Sequence, residues 1–270
     1  PAGKGLPVTS DLTLTYGLSL AIATLMTLAS GAALRFPTRF YPTADLQESF
    51  LANDVVNLII GLPALLGSLW LVRQDRLMGL LLWPGALLYV LYNTIAYVIA
   101  LPLNLGFLLS LLLFTLSAYT TIGLVASIDG KALKRRLGDA VPETVAGAVL
   151  ASLGAAFFLR AIGIVIQHLA GHTLVPEADV PVLVSDVVMA PAWVVGGLLL
   201  WRREPLGYAT GGGLLFLVSV LFVGLIAVLL LQPMMTGAPF HRADTVVVFV
   251  MGLVVFIPTG LFLRGVASAE

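Results

Sequence analysis

The chain has 270 residues, of which 59% are hydrophobic and 10% charged, with a formal net charge of zero and no cysteine. A soluble domain carries about 25% charged residues, so a water-facing surface of this composition is excluded and an all-α integral membrane protein is expected. Neutrality argues against nucleic acid as a partner, and the missing cysteines exclude disulfides, thiolate catalysis and thiolate metal sites.

The opening "PAGKGLPVTSDLTLTYG" lacks the basic, apolar and small-residue succession of a signal peptide. A bilayer-crossing helix needs about 20 apolar residues. Eight such stretches are predicted, over 14–34, 50–72, 77–100, 105–128, 144–170, 182–201, 206–232 and 244–264. Span two follows the breaker-rich "RFPTRFYPTADLQ" and carries Asp54 and Asn57 near its start. The tight turn "RQDR" leads to span three, where Tyr89, Tyr92, Asn93 and Tyr97 recur at i, i+3, i+4 and i+8 and so share a face. Tyr97, at the end of that face, fits an interfacial aromatic belt. The segment "DGKALKRRLGDAVPE" reads as a basic loop that sets topology and touches anionic headgroups. Span five places Arg160, Gln167 and His168 on one face, and span six carries Asp186 near its start. Pro63, Pro84, Pro191 and Pro258 fall inside spans and predict kinks.

Ten of the basic residues fall on one side of an eight-span topology and three on the other. The positive-inside rule therefore places both termini in the cytoplasm, with the plasma membrane of a prokaryote as the expected location. "DVVNLIIGLPALLGSLWLVRQDRLMG" is echoed by "DVVMAPAWVVGGLLLWRREPLG", at an offset of 132 residues at the Asp and 129 at the Arg. Two parallel four-helix repeats are expected, 1–130 and 131–270, related by an axis along the membrane normal.

An intramembrane charge costs at least about 2.5 kcal/mol, so such groups face other helices or water. Counting along each span gathers the polar groups in the outer leaflet. The expected site is an outward-facing pocket formed by Asp54, Asn57, Tyr92, Asn93, Arg160, His168 and Asp186, binding or carrying a small-molecule or lipid-like ligand. A structural role competes with this: Asp54, Asp186 and Asp244 each stand where a helix-start cap would. No nucleotide-binding or nucleophile motif is present, no Lys in a span could hold a retinal, and no cofactor is expected. One alternative is a membrane-embedded hydrolase with zinc on His168, His172 and His241, since H-x3-H can present two imidazoles to one metal. Another is a non-catalytic subunit or assembly factor held by a membrane-protein partner.

Overall fold

The computed structural model describes residues 5–171, 179–237, 239–240 and 242–270. Among these, the long helices are α1 (Thr13–Arg35), α3 (Ala44–Val56) continuing into α4 (Leu62–Arg73), α5 (Leu77–Ala100), α6 (Leu105–Ser127), α8 (Glu143–Leu169), α9 (Val180–Trp201), α10 (Pro205–Thr236) and α11 (Arg242–Ala269). Two short helices, α2 (Pro37–Phe40) and α7 (Gly130–Leu137), lie between them. With α3–α4 taken as one rod, eight helices are long and apolar enough to cross a membrane. Number and order are as the sequence predicts.

Two departures from the predicted elements have a capping reason. The second span begins at Ala44, because the Thr43 side chain accepts a hydrogen bond from the Leu46 N–H at 3.3 Å and Asp45 occupies the first turn. Asp54 therefore lies in the helix interior and caps nothing. Asp186 is likewise past the first turn of α9, and only Asp244 keeps a first-turn place, in α11. The basic segment after α6 is a helix rather than a loop. Asp129 Oδ1 accepts from the Lys131 and Ala132 N–H groups at 3.0 Å, and Leu133 and Leu137 are buried beneath the exposed cations.

Between α3 and α4 the chain makes one π-helical stretch, Asn57–Gly61. Pro63 explains its position: the ring has no N–H and would clash with the carbonyl four residues back, so the wider turn absorbs the conflict. Gly61 closes this stretch. A Cβ there would run into the Tyr89 ring, so the glycine lets α5 approach.

α5 and α10 form the centre and cross where Gly85 meets Gly213, backbone against backbone; a Cβ on Gly85 would overlap the Gly213 carbonyl. Around this pair, α5 packs on α4 and α6, while α10 packs on α9 and α11. α1 covers α6 and α3–α4, and α8 covers α9 and α11. The second helix of each side also reaches across: α3 touches α10, and α9 touches α5.

The turns before α5 and α10 are built alike. Asp75 (φ 56°) and Arg203 (φ 57°) are left-handed. The Arg76 N–H reaches the Leu71 carbonyl at 3.0 Å and the Glu204 N–H reaches Leu199 at 2.8 Å, with Asp75 and Arg203 bonding to Val72 and Leu200. Both are Schellman closures. Matching atoms stand 128 residues apart, as do Gly85 and Gly213, so the offset of 129 read from the arginines shifts by one.

These turns lie at the basic end of the bundle. Glu270 bridges to the Arg76 side chain at 2.7 Å and accepts from the Met78 N–H at 2.8 Å; Arg136 Nε donates to the Ala269 carbonyl at 3.0 Å. Glu143, 5% exposed, accepts from the Tyr208 hydroxyl at 2.9 Å and pairs with Arg203 at 3.3 Å. Glu143→Ala strands the buried Tyr208 hydroxyl and is expected to cost about 1–3 kcal/mol. Arg203→Ala removes only a solvent-facing partner and is expected to cost less than about 1 kcal/mol. Thermal unfolding in detergent ranks the two, and a reversed ranking would contradict the buried-acid account.

Candidate functional site

Asp54 is 2% exposed and, among the described residues, is held by hydroxyl groups. Tyr41 and Tyr97 donate to its two carboxylate oxygens, Tyr97 at 3.1 Å, and the Ser30 hydroxyl also bonds to it. Tyr41 comes from the connection between α2 and α3, outside the spans. Burial first, and then the neighbouring Asp54 charge, pushes its phenol well above the usual range, so it stays an O–H donor at physiological pH. Asn53 Nδ2 donates to Asn93 Oδ1 and to Tyr97 Oη, both at 3.1 Å, and Asn57 Nδ2 reaches Tyr97 Oη at 3.4 Å. Tyr89 donates to Asn57 Oδ1 at 3.1 Å, the approach that Gly61 permits. Beside this network lies a cavity of about 30 Å³, lined by Asp54, Asn57, Asn93, Thr94, Tyr97, Ser30 and Ser110 among apolar side chains. That is room for a water or a small ion, whereas organic ligands fill about 300 Å³ or more.

Asp186, 1% exposed, belongs to a second network. Tyr92 donates to its Oδ1 at 2.8 Å, and Arg160 Nη1 stands 3.5 Å from its Oδ2. The Arg160 side chain is 60% exposed, on a stretch of α8 where Phe158, Leu159 and Ile162 are exposed too. Among the described residues Asp186 is the one acid paired with this guanidinium.

The residues expected to form one pocket are thus divided by α5. Asp54, Asn57 and Asn93 join one network, while Tyr92, Arg160 and Asp186 join the other. Tyr92 and Asn93 are chain neighbours that serve different carboxylates. His168 stands two turns beyond Arg160, exposed near the end of α8. His172 and His241 lie outside the described residues, and no group of three His, Cys, Asp or Glu suited to a metal occurs among those described.

The expected site left out five members of the first network: Ser30, Tyr41, Asn53, Tyr89 and Tyr97. Tyr97 is buried at 6% exposure rather than placed in an interfacial belt. Tyr89 and Tyr97 were legible as part of the α5 stripe. Asn53 was legible only as a neighbour of Asp54, and Tyr41 gave no periodic signal. No protein-family profile, curated protein or solved structure matches this chain.

Proposed function

We propose that the chain is an integral membrane protein of two like halves, residues 1–130 and 131–270, with both termini cytoplasmic, and that it binds or moves a small amphiphilic or lipid-like ligand at the Arg160–Asp186–Tyr92 face. Support for two halves comes from the matching turns, from the Gly85–Gly213 crossing at the same 128-residue separation, and from reciprocal contacts in which α3 touches α10 as α9 touches α5. A twofold relation exchanges each member of these pairs with the other.

Arg160 is the observation that carries the ligand reading. It stands roughly 25 Å along α8 from Glu143 and about 14 Å before Leu169, within the length that crosses a bilayer. A guanidinium there, more than half exposed among apolar neighbours, needs a polar group opposite it. Asp186 supplies one long contact and leaves most of the five-donor fork turned outward. The chemistry that completes it is a carboxylate, phosphate or similar headgroup attached to an apolar tail.

Native mass spectrometry of the purified protein against a panel of anionic, zwitterionic and neutral amphiphiles tests this. Wild type is expected to retain an anionic member, Arg160→Ala to lose it by about tenfold or more, and Arg160→Lys to recover part of the loss. Equal retention by wild type and Arg160→Ala across the panel would overturn the reading.

A further inference from the structure

We infer that the cavity beside Asp54 is a binding site for one small monovalent cation, of the size of Na⁺. The case starts with where the protons point. Tyr97 Oη accepts from Asn53 and Asn57, so its own proton goes to Asp54 Oδ1. Tyr41 donates to the other oxygen, and Tyr89 donates to Asn57 Oδ1. Thr94 turns its proton back to the carbonyls of Val90 and Leu91, at 2.9 and 3.0 Å. These hydroxyl hydrogens are spent within the walls, and the oxygens of Asp54, Asn57, Thr94 and Ser30 line the cavity with lone pairs still to share.

Charge points the same way. Among the described residues no Lys, Arg or His lines the cavity, and Asp54 makes no ion pair. An ionised carboxylate in such a place is costly without a positive partner. One carboxylate balances one positive charge, so a divalent ion would leave an excess buried. Size narrows the choice further, since about 30 Å³ excludes organic cations. Carboxylate, amide and hydroxyl oxygens suit a hard cation rather than a transition metal. The π-helical stretch beginning at Asn57 departs from regular helix beside the site, as discontinuous backbone does at ion sites in transporters.

The inference does not depend on the Arg160 ligand, and its test uses none. Purified protein is titrated with NaCl at constant ionic strength and pH, with choline chloride as the replacement salt, and its melting temperature is followed. Wild type is expected to gain stability saturably with Na⁺, while Asp54→Asn, which keeps the shape of the side chain, shows no Na⁺ response. Should Asp54→Asn fail to fold, Thr94→Val serves instead: its midpoint for Na⁺ is expected to rise about tenfold, the loss of one good ligand oxygen. No difference between Na⁺ and choline in wild type overturns the inference, as does an unchanged Na⁺ midpoint in both variants. A stability that follows pH alone, with no Na⁺ response, overturns it in favour of a proton.

Discussion

Gly85→Val is expected to abolish the folded protein, or to destabilise it by about 3 kcal/mol or more, because the new side chain meets the Gly213 carbonyl and not a yielding side chain. Backbone cannot swing aside as a rotamer can, so α5 and α10 would have to separate along the centre of the bundle. Their separation would loosen the contacts of α3 with α10 and of α9 with α5 as well. Gly123→Val on α6 is the matched control: a Cβ there meets nothing within 4 Å, and the expected change is within about 0.5 kcal/mol. Size-exclusion profiles and unfolding in detergent distinguish them. A monodisperse Gly85→Val protein melting with the wild type would show that the crossing is not close.

The second large effect belongs to Asp54. Asp54→Ala leaves two buried phenols, Tyr41 and Tyr97, without the acceptor they share, at about 1–3 kcal/mol each. Asp54→Asn keeps an acceptor oxygen for one phenol and nearly the same shape but turns an NH2 toward the other, so its expected cost is about 1–3 kcal/mol, below that of Asp54→Ala. A double-mutant cycle with Tyr41→Phe separates these terms: in the Ala background the phenol has already lost its partner, so Tyr41→Phe should cost little or nothing further. Full additivity would mean that the Tyr41 hydroxyl is satisfied elsewhere.

Much of this architecture was legible in the sequence. Eight apolar runs of membrane-crossing length can adopt few other structures, because the backbone polar groups of a span must be satisfied within the helix. Segments whose cues are polar were harder to read. "ADLQESF" looks like a loop until Thr43 is seen to cap it, and "GKALKRRL" hides its two buried leucines among four cations. The stripe on α5 was real but wider than a single face. At about 100° per residue it spans about 140° from Tyr92 to Tyr97, enough to address two different helices. That breadth is why the expected single pocket is two networks. Tyr41 was beyond reach because only the fold of α2 and the chain after it brings its ring back over Asp54, which no local spacing records.

The Gly85–Gly213 crossing also has a kinematic consequence. These two residues are each other's counterparts in the proposed halves, so the line relating the halves passes between them. With no side chains to ratchet past one another, tilting keeps the two backbones in contact while sliding does not. As a pivot the crossing would stand off-centre: Tyr97 lies roughly 18 Å beyond Gly85 along α5, and the basic turn about 12 Å before it. A tilt of about 10° would displace the level of Tyr97 by about 3 Å, the breadth of a water molecule, and the basic turns by about 2 Å in the opposite sense. Widening the space around Asp54 and tightening the basic end would then be one movement, with the longer arm of the lever on the side of the carboxylates.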